Sequence, residues 1–490
     1  MRGVVGAILM AGVLLWSSSA SLAQDVAPEA KHIGVGGCSA STCHGAATDD
    51  KKKRYIFQDE YQTWKRLDKH AKAYDSLLIP LGKRIAANLG IGAAEKSQLC
   101  LSCHTDNVSK AAQDKFFHVE DGVGCEACHG AAEHWLAPHI GPNVGDTDTL
   151  CPSTPDHVAD DEKEHKSHAS LAAYGLYPTD KPLERAELCL NCHLGVIGDE
   201  NKFVTHRLMG AGHPRMPFEL QTFSQRQPAH FRIDCKYRAR KEAYQGVKFW
   251  AIGQAMALAR LASSVDDPKR QGTGRFPELV LFDCGACHHS IKELRWQKRE
   301  DFSMPDPGLP HLNDANAVML LLLPAKVAPD LKQKLEENVR ALHRAMSVGK
   351  GDPVGPANAV AETAKELSKR FDSHVFTPEE MTEMLRGLGK TGEGADAGDY
   401  AVAEQVTWAI ASIVDTLCQN APHSDKQDED CKTVGTRDGE AQAHKITREQ
   451  YIRLTAAVNQ CYDALLKEET YDPANFERAA QSVLQAVPAW

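Results

Sequence analysis

Aromatic residues make up only 7% of the 490 positions. After residue 23 the longest apolar run, Val318–Leu323, is far too short to cross a bilayer. That excludes a multi-span membrane protein. A hydrophobic content of 42% with unremarkable glycine and proline also excludes disordered and collagen-like chains. Positive charge is in deficit, with 56 Lys and Arg against 66 Asp and Glu, so the basic face that nucleic acid requires is not expected. No convincing alternation of apolar and polar residues marks a strand. Two residue types are plentiful instead: 15 cysteines and 22 histidines, and they cluster together.

The N-terminus reads as a targeting segment. Met1-Arg2 precedes an apolar stretch over 3–16, then SSSASLA with small residues at Ser21 and Ala23. This is the pattern of a secretory signal cleaved after Ala23. Cleavage removes Arg2 and no acid, taking the formal charge from −10 to −11. An exported, periplasmic chain with no transmembrane segment in its mature form is expected. The first cysteine, Cys38, lies well past the cleavage point, so it is not a lipid-anchor residue.

Four segments share one contiguous pattern, CxxCH: Cys100–Cys103–His104, Cys125–Cys128–His129, Cys189–Cys192–His193 and Cys284–Cys287–His288. Composition alone would produce about 0.02 copies of this haem-attachment pattern. A fifth segment, Cys38–Cys43–His44, has four residues between its cysteines. Two thiols add across the two vinyl groups of one haem, and the adjacent histidine turns under the ring to ligate iron. The longer spacer still bridges the vinyls if its loop bulges. Zinc sites do not repeat a contiguous five-residue block. Free dithiols in an exported protein would oxidise. Five covalent c-type haems are therefore expected, on those ten cysteines, with His44, His104, His129, His193 and His288 as proximal ligands. Seventeen further histidines are present, enough for a second imidazole on every iron.

The stretch Trp64-Lys-Arg-Leu-Asp-Lys-His70-Ala-Lys-Ala-Tyr74 and the block Gly122-Val-Gly-Cys125-Glu-Ala-Cys128-His129-Gly130 resemble the cytochrome c554 family of multihaem cytochromes, over residues 33 to 290. The resemblance implies that His70 ligates the haem on His129. It makes His134, or His139, the candidate for the haem on His193. It points to a late segment, His206 to His213, for the first haem. This chain departs from the family in its CxxxxCH site, its fifth site and its haem-free C-terminal residues. His118, seven residues before Cys125, is a further candidate ligand; His168, His230 and His289 are weaker ones.

Helical periodicity is expected over 55–98, interrupted at Pro80, and over 239–265, with long loops over 138–185. The haem region, 24–311, should be mainly α: helices and loops packed on porphyrins. From 312 to 490 the pattern becomes a haem-free helical bundle, with helices over 318–346, 357–371, 378–388, 401–418, 447–466 and 473–487. The bundle is a candidate interface for an oligomer or a larger complex. Cys151, Cys235, Cys418, Cys431 and Cys461 stand outside the motifs, and their pairing stays open.

The functional reading is an electron carrier. Ionised propionates add to the negative charge, so redox partners with a basic docking patch are expected. The alternatives are an oxidoreductase with one open haem acting on a small nitrogen or sulfur oxyanion, or a structural subunit of a respiratory complex. No CxxCK site is present to favour the enzyme. Intact mass should exceed the polypeptide by five haems, and a gain of four would remove the Cys38 site.

Overall fold

The structure, a computed structural model, describes residues 29–47, 58–140, 171–229, 245–270, 278–288, 312–323, 327–348, 351–392, 396–419 and 446–487. The expected signal segment, 1–23, and His168, His230 and His289 fall outside these residues. So do Cys151, Cys235, Cys431 and the side chain of Cys418. The fold is mainly α. Among the described residues, β pairing is confined to two isolated bridges, His32 with Gln113 and Phe282 with Leu312.

The N-terminal part is built from short helices: α1 Glu60–Leu67, α2 Asp75–Leu78, α3 Pro80–Leu89, α4 Gln98–His104, α5 Cys125–His129, α6 Leu136–His139, α7 Pro182–His193, α8 His206–Gly210 and α9 Leu220–Arg226. Pro80 opens α3 rather than only interrupting a helix: it sits at the first helical position behind the extended Ile79. Its missing N–H costs nothing there. Gly90 closes α3 at φ +69°, the left-handed conformation glycine adopts freely.

Among the described residues before α7, no single apolar core forms. Separate small clusters do, such as Leu77, Ala86, Ala94 and Leu101, or Ala132, Trp135, Leu171 and Leu176. Leu67, Leu78, Ile79 and Ile140 stay exposed.

The second half is different. Helix α10, Gly246–Val265, has seventeen of its twenty residues buried. It packs on α7 and α9 on one side, and on α11 Ala315–Leu321, α13 Val354–Asp372 and α15 Tyr400–Gln419 on the other. The remaining helices are α12 Pro329–Val348, α14 Pro378–Thr391, α16 Arg448–Ala464 and α17 Pro473–Ala486. Capping boxes, Thr377 with Glu380 and Thr447 with Gln450, start α14 and α16. Gly253 lets α10 approach α9 closely, since a Cβ there would lie 2.6 Å from Leu220 Cβ. The helix expected over 318–346 is two helices, α11 and α12, and Pro329 stands at the start of the second.

The change of pattern at 312 is thus not a break in packing. One continuous core runs from Ala186 and Leu190 of α7, through Trp250 and Ile252, to Phe476 and Val483 of α17. A chain ending at residue 311 would expose the face of α10 that α11, α13 and α15 bury. It should elute as aggregate in size-exclusion chromatography, and a monodisperse product would show that α10 needs no bundle.

Candidate haem sites

Three motifs are helical: α4 carries Cys100, Cys103 and His104, α5 carries Cys125, Cys128 and His129, and α7 ends on Cys189, Cys192 and His193. One turn of helix puts both thiols and the imidazole on one side. The fourth CxxCH begins in a 3-10 turn, Cys284–Ala286, closed by the His288 N–H donating to Cys284 O at 2.7 Å. The Cys38 loop bulges to hold its two extra residues: the N–H groups of Cys43 and Gly45 both donate to Ala40 O, yet His44 N–H still reaches Cys38 O at 3.2 Å.

Among the described residues, histidine rings face one another in four pairs. Ring centroids stand 6.2 Å apart for His44 with His139, 6.5 Å for His70 with His193, 6.4 Å for His104 with His213 and 6.2 Å for His206 with His288. A metal-bound imidazole nitrogen lies about 2 Å from the ion and about 1.1 Å from its own ring centre, so two rings on one ion stand roughly 6.3 Å apart. Each pair contains one motif histidine.

The ring nitrogens agree with this. His44 Nδ1 meets Glu60 at 3.0 Å, His70 Nδ1 meets Asp68 at 2.9 Å, and His104 Nδ1 meets Ala73 O at 2.8 Å. His139 Nδ1 meets Leu136 O at 2.5 Å and His213 Nδ1 meets Pro214 O at 2.8 Å. An acceptor on Nδ1 fixes the tautomer that leaves Nε2 as a metal ligand. Among the described residues no group of three or more His, Cys, Asp or Glu is placed to hold a metal ion. Facing pairs suit a macrocycle that brings four nitrogens of its own.

The partners set the electrostatics. Burial would raise the Asp68 carboxyl, but hydrogen bonds from the His70 ring and backbone and from Gln227 hold it at about 2. The Asp68 contact raises His70 against its burial. Burial, with His70 opposite, pushes His193 down to about 4; its ring stacks on Phe218 at 4.4 Å. Glu60 raises His44. Burial carries the thiols of Cys189 and Cys284 to about 11 and of Cys128 to about 12, so none is a reactive thiolate.

The pairing differs from the sequence expectation in its partners. His70 stands opposite His193, not His129. His139, rather than His134, faces a motif histidine, and that histidine is His44, not His193. His139 lies four residues past Trp135 and meets its ring edge-on at 5.3 Å, a same-face spacing legible in sequence. His134 is instead exposed, 3.9 Å from Glu133, on the wall of a cavity of about 620 Å³ shared with His32 and Tyr174. The segment from His206 to His213 faces His288 and His104, not His44. His118 is exposed and forms no ring pair among the described residues. His129 ends α5 and accepts from Tyr177 N–H through its carbonyl.

The motifs also touch. Cys38 lies beside Cys125, Cys103 lies beside Cys192 and reaches its carbonyl at 4.0 Å, and Cys128 is near Cys189 and Cys192. Glu126, between the cysteines of α5, explains part of this closeness. Its buried carboxylate accepts from the N–H groups of Ile33 at 2.9 Å, Gly34 at 2.7 Å and Ala132 at 2.7 Å. It thereby ties the strand of chain before Cys38 to the third site. Gly122, at φ +75°, comes so near His70 that a Cβ would lie 2.8 Å from its carbonyl, and Val123 N–H donates to that carbonyl at 3.1 Å. The Cys284 site meets the bundle: Arg215 bonds Glu404 and Glu468, both at 3.0 Å, and acts electrostatically on Cys284.

The family described as cytochrome c554 and c-prime matches residues 37–130, a segment holding the first three attachment motifs. No curated protein and no solved structure gives a significant match. The match supports a c-type cytochrome in electron transfer, and with it covalently bound haem c. Among the described residues no helix is long and apolar enough to cross a membrane.

Glu126→Gln should replace an acceptor oxygen by an N–H donor facing buried N–H groups. A stability loss of about 1–3 kcal/mol is expected in denaturant unfolding, and an unchanged midpoint would show that Glu126 does not hold the two sites together.

Proposed function

We propose that the chain is an exported multihaem c-type cytochrome that carries five covalent haems and passes electrons between redox partners. The observation that carries this reading is the set of four histidine pairs, each 6.2–6.5 Å apart and each joining a motif histidine to one distant in sequence. When bound, each haem supplies a site that takes up and releases one electron. The ten motif cysteines would hold the haems. His139, His70, His213 and His206 would supply the second imidazole opposite His44, His193, His104 and His288 respectively.

Two imidazoles favour ferric iron and low potential. Carboxylates on Nδ1 strengthen this by making the ring a better donor. Asp68 and Glu60 do so at the His193 and His44 sites, while carbonyls take that role on His104, His139 and His213. Asp68 and Glu60 would thereby lower the potential of a haem held at His193 or His44 relative to one held at His104.

The thiol contacts support a spatial order of attachment sites of His44, His129, His193 and His104. The chain from His206 to His213 joins the His104 site to the His288 site. That order differs from the order in sequence, and it runs from the Cys38 loop to the bundle.

His139→Ala and His213→Ala should each leave the intact mass of bound haem unchanged, because attachment needs only the cysteines. Each should convert one iron from low to high spin, counted by electron paramagnetic resonance. A variant with an unchanged spin count would remove that histidine from the ligand set.

A further inference from the structure

We infer that the segment from Lys65 to Lys72 is the docking surface for an acidic electron-transfer protein. The inference rests on the proposed haem between His70 and His193. Arg66, Lys69 and Lys72 are exposed and form no ion pair among the described residues, while Lys65 is partly neutralised by Asp121 at 3.8 Å. Leu67 stands among them at 68% exposure. Within Lys65–Lys72 the one acid, Asp68, is turned inward and buried on His70 and Gln227. Glu60 is engaged by His44, and exposed Asp75, three residues past Lys72, leaves the cations of the stretch in excess.

The outer face is thus cationic with an apolar centre, in a chain whose net charge is −10. The placement gives it a function. His70, flanked by Lys69 and Lys72 in sequence, faces His193 from this segment at 6.5 Å. Unpaired charge around a small apolar contact at the edge of a redox centre suits a weak, fast encounter, steered by charge and released quickly. The fitting partner carries carboxylates around its own redox centre. At this face the expectation from net charge, a basic patch on the partner, is reversed.

The test uses the haem-loaded protein and a reduced acidic ferredoxin as the probe, with reduction followed by stopped flow across ionic strength. Native protein should react fastest at low salt and slow steeply as salt rises. Arg66→Glu/Lys69→Glu/Lys72→Glu should react about tenfold more slowly at low salt and lose most of the salt dependence. A control with the same net charge, Lys334→Glu/Lys369→Glu/Arg370→Glu on exposed positions of α12 and α13, should keep the native rate. Equal slowing in both variants, or a native rate in the first, would overturn the docking surface. Low-spin haem counted on the same samples separates loss of His70 ligation from loss of docking. The milder Lys69→Gln/Lys72→Gln variant should fall between native and triple, and a native rate there would equally count against the surface.

Discussion

The N-terminal half depends on one distance, the separation of two imidazole rings by slightly more than 6 Å. Four pairs keep it although they arise from unrelated pieces of chain: a bulged loop, helix ends, a 3-10 turn. The surrounding polypeptide is arranged to hold rings rather than to bury itself. Its apolar clusters are small, and large side chains such as Leu67 and Ile140 remain uncovered. Where ordinary domains spend their sequence on a core, this one spends it on acceptors for Nδ1 atoms and on glycines that admit close approach, as at Gly122 beside His70.

Helix α10 connects this economy to an ordinary one. Its buried face receives α7, which ends in an attachment motif, and its other faces receive the bundle. The His193 site is thereby anchored to the largest packed core of the molecule. A second link lies at Arg215, which spans from the chain after His213 to Glu404 and Glu468 of the bundle. The bundle contributes rigidity to two sites without lending any of the proposed ligands.

Much of this was legible in sequence, for identifiable reasons. Attachment motifs are contiguous, so local spacing is enough to mark them as candidates. The bundle helices follow from apolar periodicity, and their ends agree with the expected ones to within a few residues except where Pro329 starts a new helix. The ring that faces a motif histidine was not legible, because it is chosen by packing between distant segments. His70 lies on a recognisable stretch, yet nothing in that stretch tells whether His129 or His193 will stand across from it. Glu126 was equally hidden: its role depends on Ile33 and Gly34, more than ninety positions away. Asp68, two residues from His70, and Trp135, four from His139, are local and could have been read.

The paired histidines stand 82 to 123 positions apart in the chain. With iron between them and thioether bonds on one side, each pair becomes a cross-link closing a loop of that length. Cross-links of this kind act largely on the unfolded chain, and for loops on the order of 100 residues the chain-entropy effect is about 4–5 kcal/mol each. The described part of that half, with its small apolar clusters, would then be held as small disulfide-rich domains are held, by topology. Its resistance to unfolding would follow the oxidation state and ligation of its metal, since the knots that restrain the chain are the same bonds that tune its electrons.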